Sequence, residues 1–249
     1  MSPRERVEVF QLLFVRLLVA QLDDRTLVTL KGGGNLRFFF GSPRFSEDLD
    51  FDVRHLATRT LAKKIDGILG GTTLSRLLLA RGLRIEAWSA PKQTELVQRW
   101  KASIVEGESI AESTKFEFSR RKGAGDGSAV DPISVAALER HQLAGPVLAA
   151  HYGADAAAAQ KIEALIGRSA PQSRDVFDLN LLLDRGARLP DLPARDRREA
   201  VERALGFSRD EFEDQVLAYL EPEDADALRS AAAIEALQVR VADALEATA

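Results

Sequence analysis

The sequence contains no cysteine, one methionine and three histidines among its 249 residues. The absence of cysteine excludes disulfide bridges, thiolate zinc sites and cysteine nucleophiles. His55, His141 and His151 have no metal-ligand spacing and no paired nucleophile, so we interpret them as surface or packing residues. No apolar run approaches the ~20 residues that span a bilayer, and the first residues lack the form of a signal peptide. These absences predict a cytoplasmic protein with no membrane contact.

An excess of positive charge is also lacking, because 34 Lys and Arg residues face 38 Asp and Glu residues, for a net charge of −4. The protein as a whole therefore does not attract nucleic acid, and any contact with RNA has to come from local basic patches. Residues 120–128 form one such basic, glycine-rich stretch. The hydrophobic content of 45% is sufficient for a sizeable core in one large or two small domains.

The most informative stretch runs from Thr29 to Val53. It predicts a strand over 27–30, a glycine turn over 32–34, a short helix over 35–40 and then a second strand. Successive residues of a strand point to opposite faces, so the alternation of residue types in the second strand defines two faces. One face carries Phe45, Leu49, Phe51 and Val53, and the other carries Ser46, Asp48, Asp50 and Asp52.

Three carboxylates on one face of a strand repel one another unless positive charge lies between them. The simplest source of that charge is a divalent metal ion with oxygen ligands. The pattern Asp48-Leu49-Asp50-Phe51-Asp52 therefore predicts a cation site on this strand.

Other elements follow from apolar periodicity and capping signals. Helices are predicted over 3–21, 56–69, 73–80, 135–142, 155–167, 174–183, 195–204, 209–220 and 223–245. Further strands are predicted over 83–88, 94–105, 113–120 and 146–152.

Two motifs carry a resemblance to a known family. Lys31-Gly32-Gly33, followed by Arg-Phe-Ser-Glu-Asp-Leu-Asp-Phe over 44–51, resembles the AbiEii family of the nucleotidyltransferase superfamily, the toxins of type IV toxin–antitoxin systems. Lys161 followed by Arg-Asp-Val-Phe-Asp-Leu over 174–179 resembles the later motif of that family. The resemblance implies an α+β fold with a mixed sheet, flanking helices and a helical C-terminal lobe. We expect the nucleotidyltransferase core at 1–152 and the helical lobe at 153–249.

The resemblance also implies which acids hold the catalytic metal, Mg²⁺ or Mn²⁺. Asp48 and Asp50 are the expected ligands, and Asp52 is the expected bystander. Glu117, in Lys-Phe-Glu-Phe over 115–118, resembles the third acid of such sites, and Glu86 is an alternative.

The nucleoside triphosphate, which is the co-substrate, is expected to contact residues of both motifs. The nucleotide-binding residues implied by the resemblance are Lys31, Gly32, Gly33, Ser46 and Arg174. Lys161 is expected to neutralise the triphosphate and Asp175 to orient Lys161 or the nucleotide, although Arg174 and Asp178 could instead form a structural ion pair. The family commonly has a hydroxyl residue after Lys-Gly-Gly, and Gly34 stands at that position here.

The function implied is transfer of a nucleoside monophosphate to tRNA or another RNA by a toxin, which a cognate antitoxin, a protein or a kinase, would restrain. A small-molecule acceptor is an alternative within the enzyme class. A further alternative is a module of the same fold that binds a nucleotide or a partner without turnover.

Overall fold

The computed structural model describes residues 1–248, which form eleven α-helices, seven strands and two short 3-10 helices. The helices are α1 (Pro3–Ala20), α2 (Gly32–Phe39), α3 (Thr58–Leu69), α4 (Thr72–Leu79), α5 (Val135–Arg140), α6 (Ala154–Gly167), α7 (Ser173–Asp184), α8 (Ala194–Leu205), α9 (Arg209–Gln215), α10 (Pro222–Leu228) and α11 (Ala231–Glu246). The strands are β1 (Val28–Lys31), β2 (Leu49–Val53), β3 (Leu83–Gln93), β4 (Val97–Glu106), β5 (Glu112–Ser119), β6 (Ser128–Pro132) and β7 (Leu148–Tyr152). The α+β class expected from the sequence is confirmed.

The chain divides into two compact units. The first unit consists of residues 1–39 and 46–152, and the second consists of residues 40–45 and 153–249. No helix among the described residues is long and apolar enough to cross a membrane.

Helix α1 of the first unit begins where its capping signals predict. The Ser2 hydroxyl accepts a hydrogen bond from the Glu5 amide, and the Glu5 carboxylate accepts one from the Ser2 amide, which completes a capping box. Phe10 and Phe14 on its apolar stripe are fully buried and pack against Phe116 of β5, with ring centroids 5.6 and 3.9 Å apart. Hydrophobic burial thus fixes α1 against one face of the sheet and leaves the opposite face for polar residues.

All seven strands belong to one mixed sheet in the first unit, in the order β3-β4-β5-β2-β1-β7-β6. The acidic strand β2 lies between β1, to which it is antiparallel, and β5, to which it is parallel. Leu49, Phe51 and Val53 are buried in the core, which confirms the predicted apolar face within β2.

Two predictions about the central stretch were wrong in detail. The acidic strand starts only at Leu49, so Phe45, Ser46 and Asp48 precede it in irregular structure. The glycines do not form a separate turn, because α2 already begins at Gly32. Gly32 has the left-handed φ of +65° that lets the chain leave β1 and enter the helix at once.

Differences elsewhere reflect weak local signals. Strand β6 was not predicted, because its five residues follow a glycine-rich stretch and form the edge of the sheet, where they pair with β7. The predicted helix 223–245 is two helices, α10 and α11, and the predicted helix 209–220 ends at Gln215.

The second unit is built from helices α6 to α11 with segment 40–45 packed among them. The Phe45 amide donates to the Tyr219 carbonyl oxygen at 2.9 Å, which holds this segment in place. Helix α7 is buried on several sides, including Val176 and Leu179 and also the charged Asp175 and Asp178. The sequence suggested apolar residues alone for its buried side, so the burial of both acids is unexpected.

Candidate active site

Asp50 lies at the centre of a row of ionisable residues on the polar face of the sheet. Strand register places Lys31 of β1 on one side of Asp50 and Glu117 of β5 on the other. The Asp50 side chain is half-buried, and within residues 1–248 its carboxylate has neither a hydrogen bond nor an ion pair. Burial raises the pKa of the Asp50 carboxyl, against the effects of Lys31 and Lys115 and with the help of Glu117 and Asp48. Asp50 is therefore a carboxylate without a partner, which favours the arrival of positive charge.

The other two predicted metal ligands are close to Asp50 but are held by cations of the protein. Asp48 accepts a hydrogen bond from the Lys115 amide at 2.9 Å, and its carboxylate lies 2.8 Å from the Lys115 ammonium. Glu117 lies 2.5 Å from the Arg99 guanidinium. In the part of the chain that the structure describes, no three Asp, Glu, His or Cys side chains form a ready-made metal cluster.

Glu86, the alternative third acid, is remote from this row. It is exposed on the edge strand β3, and β4 and β5 separate it from β2.

Asp52, predicted to be a bystander, is the centre of a buried polar network. Its carboxylate accepts hydrogen bonds from Lys31 at 2.5 Å, Ser119 at 2.9 Å, Arg121 at 3.0 Å and Tyr152 at 2.6 Å. Burial would raise the pKa of Asp52, but the positive charges and hydrogen bonds outweigh burial and lower it. Burial and the bond to Asp52 raise the pKa of Tyr152 to about 12. This network joins β1, β2, β5 and β7 on the polar face of the sheet.

Lys31 is thus engaged on the side away from solvent. Its ammonium bonds to Asp52 and, at 2.7 Å, to the Ser119 hydroxyl, and burial lowers the pKa of Lys31. Ser46 is engaged as well, since its hydroxyl donates to the Asp48 carbonyl oxygen at 2.7 Å and shapes the turn that leads into β2.

The start of α2 lies against Asp50. A Cβ atom at Gly32 would be 3.3 Å from Asp50 Oδ2, so only glycine permits this approach without displacement. The first amides of a helix have no partners within the helix, and they favour phosphate or another anion. The start of α2 is fixed by Asn35, which donates to the Tyr152 carbonyl oxygen and pairs with His151, both at 2.9 Å. We did not anticipate these roles of Asn35 and His151, because their partner strand is more than 100 residues distant from α2 in sequence.

We expect Gly32→Ala to lower the rate of the nucleotide transfer that the sequence resemblance implies about tenfold or more, since both its left-handed φ and its approach to Asp50 exclude a side chain. Gly82→Ala is the matched control. Gly82 has a φ of +73°, and a Cβ atom there would have no neighbour within 4 Å. Gly82→Ala therefore introduces backbone strain without a steric contact. Both variants should lose roughly 1–2 kcal/mol of unfolding free energy in chemical denaturation. Equal activity of the two variants would show that the approach to Asp50 is unimportant.

The second unit contains a separate buried charge cluster. Lys161 of α6 lies 3.0 Å from Asp175 and 2.5 Å from Asp178, and both acids are fully buried on α7. Arg44 binds Asp178 through two nitrogens, and Arg168 pairs with Asp175 at 2.5 Å. Burial would raise the pKa of Asp178, but Arg44 and Lys161 outweigh burial and lower it.

The suggested ion pair between Arg174 and Asp178 was wrong. Arg174 donates instead to Gln172 at 2.9 Å, whereas Asp178 is bound by Arg44 and Lys161.

Comparison with known structures shows that the fold is similar to that of nucleotidyltransferases. MenT4, a nucleotidyltransferase toxin from Mycobacterium tuberculosis H37Rv, matches with a TM-score of 0.66 and 18% identity over 99% of this chain and 86% of the other. JHP933 from Helicobacter pylori matches with a TM-score of 0.58 and 18% identity over 99% and 94%. At this identity the likeness establishes the fold. A sequence comparison with curated proteins finds no match.

The family follows from the sequence over nearly the whole chain. The model of the family described as nucleotidyl transferase AbiEii toxin, type IV toxin–antitoxin system, matches residues 12–247, and the chain belongs to this family. The resemblance carried by the two sequence motifs is thereby confirmed. The protein is a nucleotidyltransferase of a toxin family whose systems include an antitoxin.

Proposed function

We propose that the protein transfers a nucleoside monophosphate from a nucleoside triphosphate to a hydroxyl of tRNA or another RNA, and that Asp48 and Asp50 are the central catalytic residues. The observation that carries this proposal is the half-buried Asp50 carboxylate, which makes no hydrogen bond or ion pair within residues 1–248, lies against the start of α2 and is flanked by Asp48 and Glu117. In the reaction the acceptor oxygen forms a bond to the α-phosphorus, and the bond to the bridging oxygen breaks. Pyrophosphate leaves, and the hydroxyl proton is released to water.

The residues fit a divalent metal ion, Mg²⁺ or Mn²⁺. Carboxylate oxygens are the ligands that these hard cations prefer, and Asp48, Asp50 and Glu117 supply them on one face of the sheet. A bound Mg²⁺ ion supplies charge neutralisation at the phosphates and lowers the pKa of an attacking hydroxyl. For Asp48 and Glu117 to serve as ligands, Lys115 and Arg99 have to release them, after which both cations are available to phosphate oxygens.

The triphosphate is assigned to the start of α2. The amides near Gly32 and Gly33 are suited to phosphate, and Ser46 fixes the turn that leads into β2. Lys31, held by Asp52, contributes fixed positive charge beside Asp50. From the second unit we assign Lys161, Asp175 and Arg174 to the nucleotide on the strength of the family motif, with the two acids of α7 orienting the Lys161 ammonium.

The protein partner of the proposed toxin is a cognate antitoxin, as the family implies. Whether that antitoxin binds the toxin or modifies it as a kinase would be decided by co-expression. A binding antitoxin co-purifies with the toxin, whereas a kinase adds phosphate that is detected in the mass spectrum of the toxin.

The test is incubation of the purified protein with Mg²⁺, total tRNA and each of the four α-³²P-labelled nucleoside triphosphates in turn. We expect label from at least one nucleotide to move to RNA, to require the metal, and to be lost in Asp48→Asn and Lys161→Gln. Label that moves only to a small molecule, or nucleotide that binds without any transfer, would contradict the RNA-transferase proposal.

A further inference from the structure

A cavity of about 440 Å³ opens on the polar face of the sheet, directly beside Asp48. Its lining on that face combines small side chains with two lysines: Ala87, Ser89, Lys101, Ser103, Ser113 and Lys115. We call this cavity the lysine groove. The residues that alternate with these along β4 and β5, such as Trp100 and Phe116, are buried in the core on the other face. The short side chains let a ligand approach the strands closely. The volume of the groove is within the range of small-ligand sites.

The two lysines of the groove face each other. Lys101 of β4 and Lys115 of β5 are direct partners in the antiparallel register, and like charges in such positions destabilise a sheet. Lys115 is neutralised by Asp48, whereas the exposed side chain of Lys101 makes no hydrogen bond and no ion pair within residues 1–248. The groove thus presents uncompensated positive charge next to the proposed catalytic acids, which is suited to an anion.

The position of the groove indicates which substrate it serves. In the sheet order, β1 and the start of α2 lie on one side of Asp50, and β5, β4 and β3 lie on the other. Phosphoryl transfer places the attacking and leaving oxygens roughly in line, on opposite sides of the phosphorus. When the triphosphate is bound at the start of α2, the lysine groove is therefore available to the acceptor.

The groove is not built to read a base by stacking. Trp88 also borders it, but Trp88 is paired in register with the buried Ala102, and its ring lies near Gly70 on the opposite face. Among the described residues that line the groove, Trp88 is the one aromatic residue, so the groove is suited to the sugar–phosphate backbone and not to a particular base.

We infer that the lysine groove binds the 3′-terminal strand of the acceptor RNA, with Lys101 contacting a backbone phosphate and Lys115, once released from Asp48, contacting the same strand. The inference rests on the proposed RNA acceptor and adds the surface that holds it. It predicts tolerance of base sequence at the end of the acceptor and a strong dependence of binding on salt.

The experiment measures binding without turnover. Fluorescence anisotropy gives the Kd of a labelled single-stranded oligoribonucleotide with a free 3′ hydroxyl, over a series of salt concentrations, for wild type, Lys101→Ala and Lys63→Ala. Lys63 is an exposed lysine of α3 outside the groove and serves as the matched control. Calorimetric titration with a nucleoside triphosphate is performed on the same three proteins.

We expect Lys101→Ala to weaken RNA binding roughly tenfold and to reduce the slope of log Kd against log salt by about 0.7, with nucleotide binding unchanged. Lys63→Ala should match wild type in both assays. Unchanged RNA affinity in Lys101→Ala would overturn the groove assignment while transfer by the wild type still stands. Loss of nucleotide binding instead would assign the groove to the triphosphate. Failure of the wild type to bind RNA at all would overturn both this inference and the proposed RNA acceptor.

Discussion

Asp50→Asn is expected to reduce nucleotide transfer by about a thousandfold while leaving the protein at least as stable as wild type. The expected rate loss corresponds to several kcal/mol, which is the scale of metal-assisted charge stabilisation in a transition state. Stability should not fall, because the raised pKa of Asp50 means that its ionised form is disfavoured by the fold at neutral pH. The neutral amide of Asn removes that cost and keeps the shape of the side chain.

Glu47→Gln is the matched control for Asp50→Asn. It removes one carboxylate from the same segment, but the Glu47 side chain is exposed. Initial transfer rates and urea denaturation, measured on both variants, separate the two effects. A parallel loss of activity and stability in Asp50→Asn would mean that Asp50 supports the fold, and the catalytic assignment would then fail.

Asp178→Asn is expected to destabilise the protein by about 3–5 kcal/mol, because it leaves Arg44 and Lys161 in a buried position without their shared carboxylate. The control is Asp184→Asn at the end of the same helix. Asp184 pairs with Arg240 at 2.6 Å, but both side chains are about half exposed, so its loss should cost less than about 1 kcal/mol.

Two spectroscopic signals can follow the unfolding of the two units in urea. Both tryptophans, Trp88 and Trp100, belong to the first unit, so their fluorescence reports on that unit, whereas far-ultraviolet circular dichroism also follows the helices of the second. We expect the dichroism transition in urea to shift to lower concentration in Asp178→Asn. Equal shifts in Asp178→Asn and Asp184→Asn would show that the buried charges do not stabilise the second unit.

The stabilisation that Asp178 contributes to the fold is expected to decrease at low pH. The folded pKa of Asp178 lies below its ordinary value, so its contribution to stability is complete above about pH 4, near the pKa of an unfolded Asp. That contribution is lost as the pH falls through the lower folded pKa. The difference in stability between wild type and Asp178→Asn should therefore shrink below about pH 4.

Local signals in the sequence were enough to predict the elements that are stabilised by local interactions. The capping box at Ser2 and the apolar periodicity gave α1 to within one residue at its end. The alternation around Leu49 and Phe51 gave the two faces of β2, because a side-chain period of two is a property of the strand itself. The family motifs added the superfamily fold and the row of acids.

What the sequence could not reveal depends on partners that are distant along the chain. Lys31 resembles a phosphate ligand in sequence, and only the pairing of β1 with β2 shows that Asp52 holds it. Arg174 is adjacent to the α7 acids in sequence, yet Asp178 is bound by Arg44, 134 residues away. No periodicity or spacing encodes such contacts, because they arise from sheet register and helix packing.

Segment 40–45 belongs to the second unit although it lies between two parts of the first, so a single cut of the chain cannot separate the two units. A gene fragment that begins at Gly153 encodes Asp178 and Tyr219 but neither Arg44, the counter-ion of Asp178, nor the Phe45 amide that binds Tyr219. A fragment that ends at Tyr152 carries segment 40–45 without either partner. The boundary between the units is therefore crossed more than once by the chain, and a single cut yields two incomplete folding units. We expect a split version of this protein to fold only when both pieces are expressed together.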